Sequence, residues 1–246
     1  MFEPIKRVLR PLKQALFSTR HPHTRGWRPQ WLPRDLPLIP ENVAHPHSPE
    51  EQAEKFLAVD AGSTEVETLN WLYATICLTK PNAVLETGAF NGLGTIALAA
   101  ACQANGFGKV HSIEIAPAMC DRLRAKLGRY ELGAWAEVHC NDSLKFLETT
   151  ELFFDFAFFD SLCQIRADEY EIVARRGLLS GMATFHDTSP YRTRTLSNDP
   201  TEAEHNEYRR RLLTLGSVQP NRSYFEFKLS RGLFVIFPPH APAATP

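Results

Sequence analysis

The chain lacks a long uncharged apolar run. Its longest uncharged stretch, Thr87 to Gly108, is broken by Gly88, Asn91, Gly92, Gly94 and Gln103, so it reads as a loop feeding a helix and not as a membrane span. It also lacks a cysteine framework. Cys77, Cys102, Cys120, Cys140 and Cys163 are odd in number, and none are close enough for a zinc knuckle or a redox motif. They read as buried, reduced thiols of a cytoplasmic protein. Neither sign of charge is in excess: 27 Lys and Arg face 28 Asp and Glu, which disfavours a dedicated nucleic-acid binder. What is present is a 43% hydrophobic and 11% aromatic composition, enough for a packed core and incompatible with wholesale disorder. A length of 246 residues suits one large domain, or one domain with an appendage.

The positive charge is concentrated at the start. Residues 1–34 carry eight Lys and Arg against one acid, Glu3, and nine of the 18 prolines fall within the first 49 residues. Proline removes backbone donors and biases the preceding residue away from helix, so residues 1–49 read as a Pro-rich basic arm. Only Lys6 to Phe17 suits a short helix, broken at Pro11. With Leu9, Leu12 and Leu16 it is suited to peripheral contact with an anionic membrane or with the protein's own surface. His21-Pro22-His23 and His45-Pro46-His47 have no carboxylate or thiol at ligand spacing and read as chance composition.

From residue 50 to 238 the pattern is that of a folded domain, followed by a flexible tail, 239–246. Helices are expected at Ser48–Leu57 and Thr64–Leu78, the latter capped by Ser or Thr followed by Glu. Strands then alternate with helices. The strands are Ala83–Glu86, Lys109–Glu114, Trp135–Cys140, Phe154–Phe159 and Met182–His186. The helices are Gly94–Gln103, Pro117–Tyr130, one starting over Ser143–Leu147, Ile165–Arg175 and Pro200–Leu215. Tyr224–Leu229 and Leu233–Phe237 flank a Ser230-Arg231-Gly232 turn and form an antiparallel hairpin. This predicts an α/β fold: a doubly wound, mostly parallel, seven-stranded sheet ending in that hairpin. Ligands of such sheets bind beyond the carboxyl ends of the strands.

The first parallel strand ends Glu86-Thr-Gly88-Ala-Phe-Asn-Gly92-Leu-Gly94. Glycines allow a tight turn and close approach of a ligand, and the following helix offers free N–H groups, so a nucleotide-like cofactor is the natural occupant. The glycine order differs from the G-x-G-x-x-G of NAD enzymes, and no Lys-Ser/Thr follows as in a P-loop. Here the chain resembles the class I S-adenosylmethionine-dependent methyltransferases, over about residues 64–237. The resemblance implies that Glu86, Gly88 and Gly92 hold the methionine part of S-adenosyl-L-methionine. It places Glu114 at the ribose hydroxyls and Asp142, in Cys140-Asn-Asp-Ser143, near the adenine. A Rossmann-like sheet is implied with it.

The acceptor side starts at Phe158-Phe-Asp160-Ser161 and Phe185-His186-Asp187-Thr188. The Asn/Asp-Pro-Pro-aromatic motif of base methyltransferases is missing, so no nucleic acid is expected as substrate. An aspartate at each of two adjacent strand ends is similar to the metal-dependent catechol- and caffeoyl-type O-methyltransferases, and Gly181–Asp187 also resembles sugar O-methyltransferases. That resemblance implies a Mg²⁺ or other divalent cation on Asp160, Asp187 and Thr188, and catalytic positions at Asp160, His186 and Asp187, with Asp160 also bordering the cofactor. Cys163 stands where that group has its catalytic lysine. Two roles are open for His186, a general base or a strand-end histidine bonded to backbone. The segment 189–223 is the expected acceptor lid, with Arg192 or Arg194 as an anion clamp and Arg209-Arg-Arg211 as a solvated face. The phenylalanines of 153–159 are expected in the core. The implied activity is methyl transfer to a hydroxyl of a small molecule or sugar; a non-catalytic scaffold of the same fold is the alternative, and a homodimer is compatible with either.

Overall fold

The central strands of this chain are largely apolar on both sides, and the reason is topological: a strand covered by helices on both faces has no solvent side to which a polar residue can point. Phe154–Phe159 reads Phe-Asp-Phe-Ala-Phe-Phe with all but Asp155 buried. The computed structural model describes residues 28–40, 56–60, 62–191, 200–218, 223–228 and 230–238. The chain divides into two compact units, 1–30 and 31–246, and the first is described only at residues 28–30. The expected Lys6–Phe17 helix, both His-Pro-His segments, Arg192, Arg194 and the tail lie outside the described residues, as does most of the Ser48–Leu57 helix; its last position, Leu57, is in a short strand.

The elements in order are β1 (Ile39–Pro40), β2 (Leu57–Ala58), α1 (Val66–Thr79), β3 (Ala83–Thr87), α2 (Leu93–Asn105), β4 (Lys109–Glu114), α3 (Pro117–Arg129), β5 (Ala136–Cys140), α4 (Ser143–Thr149), β6 (Phe154–Phe159), α5 (Arg166–Arg175), β7 (Leu179–His186), α6 (Glu202–Val218), β8 (Tyr224–Phe227) and β9 (Leu233–Ile236). β1 and β2 form a small antiparallel pair. The remaining seven strands form one sheet in the order β5-β4-β3-β6-β7-β9-β8. β3 to β7 run parallel, and β9 enters antiparallel to both β7 and β8. The predicted sheet and hairpin are therefore observed.

Each face of the sheet has its own core. On one, α1, α2 and α3 place Leu69, Leu72, Ile96 and Leu123 against Val84, Phe156, Phe158 and Val235. On the other, α4, α5 and α6 place Leu147, Tyr170, Tyr208 and Leu212 against Leu85, Phe154, Phe159 and Phe234. Phe154, Phe156, Phe158 and Phe159 are fully buried, as expected, whereas Phe153 precedes the strand and is exposed. Ahead of the sheet, Leu32 is buried in the first core and Trp31 stacks on Tyr73 of α1.

Strand order reverses direction between β3 and β6. Chain connections leave that point in opposite directions, so the loops after β3 and β6 diverge and leave a crevice at the carboxyl edge. The loops that line it follow β3, β4, β5, β6 and β7.

Candidate active site

The glycines set the first wall. Gly88 has φ +78°, and a Cβ there would lie 2.5 Å from the Asp160 carbonyl, so only glycine lets the β3 loop meet the β6 loop. Gly92, with φ +84°, is the N-cap of α2 and backs onto Leu123 away from the crevice, so its part is in the turn. Gly94, the last glycine of the loop and one given no cofactor role from sequence, faces Glu86: any Cβ there would collide with Glu86 Oε1.

Behind these loops is a cavity of about 440 Å³, within the range of small-ligand sites. Glu86, Gly88, Glu114, Asp142, Asp160, His186 and Asp187 all line it, whereas Gly92 does not. Glu86 is buried, and its Oε2 accepts from Thr95 Oγ1 (2.5 Å) and Ser112 Oγ (2.6 Å). Burial lifts its carboxyl to about 7, against the opposing effect of those two hydroxyls. Glu114 accepts from the Phe90 amide through Oε2 (2.8 Å) and from the Ala116 amide through Oε1 (2.9 Å), and so fixes both neighbouring loops. Asp142 is the N-cap of α4, accepting from the Lys145 amide at 3.0 Å. Below the floor, Glu169 accepts from Thr87, Ser143 and Ser161, joining the β3, α4 and β6 ends; burial raises it to about 7 as well.

The opposite wall is a network of charges. Asp160 and Asp187 stand at the ends of β6 and β7, and Asp187 holds a left-handed backbone, φ +58°. His186 is buried between carboxylates: Nε2 lies 2.7 Å from Glu65 Oε2, and Nδ1 lies 3.1 Å from Asp160 Oδ1 and 3.7 Å from Asp187 Oδ2. Burial by itself would lower the imidazole, but Asp187, Asp160 and Glu65 reverse that and hold it at about 10. Burial would likewise raise Glu65, yet His186, assisted by Arg231, brings it to about 2. Arg166, at the start of α5 and 3% exposed, places Nη2 3.0 Å from Asp160 Oδ1 and 3.1 Å from Asp187 Oδ2. Thr64 Oγ1 donates to Asp160 Oδ2 at 2.8 Å.

Two sequence expectations change here. Thr188, expected as the third metal ligand, is buried and does not line the cavity. Its carbonyl accepts from Arg209 Nε, and its hydroxyl has no partner among the described residues. Asp160, His186 and Asp187 bring ligand-type atoms within 4.8 Å of one another, but the carboxylate oxygens that converge there do so on a guanidinium and an imidazole, a poor donor set for a divalent ion. Arg166 and Glu65 were not foreseen. Glu65 was visible only as part of a helix cap, and it is the N-cap residue of α1, but its carboxylate turns to Thr68 and His186. A second group, His111, Glu137 and His139 on β4 and β5, brings ligand-type atoms within 4.8 Å of one another at the far edge of the sheet.

Comparison with known proteins bears on the fold. Residues 85–188 match the model of a family described as a methyltransferase domain. By sequence, no curated protein matches the chain. Among solved structures, the chain is similar to the methyltransferase PaMTH1 of Podospora anserina, solved with S-adenosylhomocysteine, at a TM-score of 0.64 and 18% identity over 74% of this chain and 82% of that one. It is also similar to an O-methyltransferase of Bacillus cereus in complex with S-adenosylhomocysteine, at 0.60 and 20% over 73% and 84%. A third is the O-methyltransferase TomG of Streptomyces achromogenes, in complex with S-adenosylmethionine, at 0.60 and 16% over 72% and 82%. At these identities the likeness to solved structures is one of fold. The chain has the Rossmann-like methyltransferase fold, and the matched segment spans the glycine loop, Glu114, Asp142, Asp160 and Asp187. No helix among the described residues is long and apolar enough to cross a membrane.

Proposed function

We propose that the chain transfers a methyl group from S-adenosyl-L-methionine to a hydroxyl of a small molecule or sugar. One observation carries the reading: a single cavity is walled on one side by the acids of β3, β4 and β5 with their glycine loop, and on the other by the aspartates of β6 and β7. The first wall suits the cofactor. Glu86 beside Gly94 and Gly88 offers a carboxylate to an ammonium, Glu114 retains acceptor capacity for two hydroxyls, and Asp142 offers an acceptor to an exocyclic amine. The cofactor supplies an electrophilic methyl on a sulfonium.

The second wall suits an acceptor hydroxyl. Asp160 and Asp187 line the cavity, and a carboxylate there takes the proton that the hydroxyl loses. His186 acts as a positioning residue in this reading, since both of its ring nitrogens are committed to carboxylates and it keeps its proton. The O-methyltransferase names of the structural relatives are consistent with a hydroxyl acceptor.

The test is methyl transfer from S-adenosylmethionine to a panel of phenols, catechols and sugars, read as S-adenosylhomocysteine release and by mass spectrometry of the product. Acceptor-dependent release with the methyl on oxygen is expected. Asp187→Asn should reduce turnover by about 100-fold or more, while S-adenosylhomocysteine affinity stays close to that of the unsubstituted protein. Methyl found on nitrogen or carbon would move the reading to another acceptor class. Tight cofactor binding with no transfer to any acceptor would favour the scaffold.

A further inference from the structure

The two carboxylates that would hold a divalent ion are neutralised from within the chain. Arg166 enters from the first turn of α5, and its fork is oriented by both strand-end loops. Nε donates to the Ser161 carbonyl at 2.8 Å, and Nη1 donates to the His186 carbonyl. The remaining nitrogen, Nη2, sits between Asp160 and Asp187, while the guanidinium carbon lies 5.7 Å from the centre of the Tyr208 ring. Arginine cannot give up its proton and its planar fork suits carboxylates, so it is a permanent counter-ion in this place. His186 Nδ1 approaches the same Asp160 oxygen to 3.1 Å, and its Nε2 lies 2.7 Å from Glu65, so the ring is bracketed by carboxylates.

A magnesium ion on the same two carboxylates would need their oxygens at about 2.0–2.1 Å, in the space that Nη2 and the His186 ring occupy. Expelling Arg166 would leave a buried guanidinium without its partners, a cost that argues against exchange. We infer that Arg166 takes the place of the divalent ion, so that this chain works without a metal and its acceptor need not chelate one. A chelated ion would favour an acceptor with two neighbouring oxygens. Here a single hydroxyl facing Asp160 and Asp187 suffices, so the substrate class widens from vicinal diols to isolated hydroxyls. The inference rests on the methyltransferase reading above for its functional meaning, but its structural content is separate.

The test is titration of the full chain with Mn²⁺, followed by electron paramagnetic resonance, with and without S-adenosylhomocysteine. No manganese site that responds to Asp160→Asn or Asp187→Asn is expected into the millimolar range, any binding at His111, Glu137 and His139 being unaffected by those variants, and S-adenosylhomocysteine affinity by calorimetry should be the same in Mg²⁺ and in EDTA. Saturable binding of manganese that is lost in both Asp160→Asn and Asp187→Asn would overturn the inference. Arg166→Met should gain a manganese site, since it leaves the two carboxylates uncompensated, whereas Arg166→Lys should not. A folded Arg166→Met that still binds no manganese would show that arginine was not filling a cation site. If Arg166→Met does not fold, the titration of the unsubstituted chain decides alone. Failure of S-adenosylhomocysteine to bind under every condition would remove the methyltransferase reading and leave the manganese result standing.

Discussion

Glu86 is held by two hydroxyls on one oxygen and by a missing side chain on the other. Because Gly94 leaves room for Oε1, Gly94→Ala should push the carboxylate off its present rotamer and weaken S-adenosylhomocysteine binding by about tenfold or more, read by calorimetry. Glu86 also imposes a pH dependence on stability. Its carboxyl is raised to about 7 when folded, against 4.5 as the ordinary value, so over that interval the folded chain keeps a proton that the unfolded chain has lost. Stability conferred at Glu86 is therefore fully present below pH 4.5, falls as pH rises through the interval, and is level above 7. Glu169 adds the same sign over the same window. Glu86→Gln removes the first contribution: in urea unfolding, its stability relative to the unsubstituted protein should climb between pH 5 and 7 and then stay flat. A relative stability that falls with pH would contradict the assignment.

Much at this scale was legible in the sequence. The glycine loop and the strand-end acids occur where the apolar pattern of each strand stops, and the fold gathers those ends around one cavity. Arg166 and Glu65 were not legible, because their meaning lies in partners on other elements. Glu65 meets a histidine 121 positions away.

Among the elements, α6 shows how a local pattern can mislead. Three successive arginines were expected on a solvated face, but successive helical residues are about 100° apart, so three of them cannot share one face. Only Arg210 points outward, to Glu207. Arg209 turns in to the Thr188 carbonyl and Glu226 of β8, and Arg211 bridges to Asp168 and Glu171 of α5. The same helix supports the end of β7: His205 Nε2 bonds the Asp187 carbonyl at 2.8 Å, and the Tyr208 hydroxyl donates to the His186 carbonyl at 2.9 Å. The described part of the expected lid is thus a packed layer carrying the strand-end loop. Tyr208→Phe should cost about 1 kcal/mol in denaturant unfolding, since it leaves a buried carbonyl one donor poorer. Arg211→Ala should cost less than about 1 kcal/mol, and the cost should shrink in high salt, as expected for partly exposed pairs. Strand periodicity located every strand of the main sheet to within three residues, the largest shift being the start of β7. There Leu179 pairs with Phe154 across an irregularity in β6, which no pattern in β7 itself reveals.

At the scale of the molecule, the sheet order brings five strand ends to one crevice and divides them into two walls, which the proposed function assigns to cofactor and acceptor. The wall of β3, β4 and β5 is built from single acids on glycine and N-cap turns. That of β6 and β7 is a balanced cluster of acids and cations drawn from α1, α5 and the β8–β9 turn. Alternation of strand and helix was enough to foresee the first division, and the balance of charge in the second emerges only from packing. Calorimetric titration with S-adenosylhomocysteine in EDTA, with NAD as control, tests the central claim most directly. The account predicts saturable binding at one site, no response to NAD, and loss of binding in a folded Glu114→Ala variant. Absence of binding by the folded, unsubstituted chain, or binding that Glu114→Ala leaves unchanged, would contradict it.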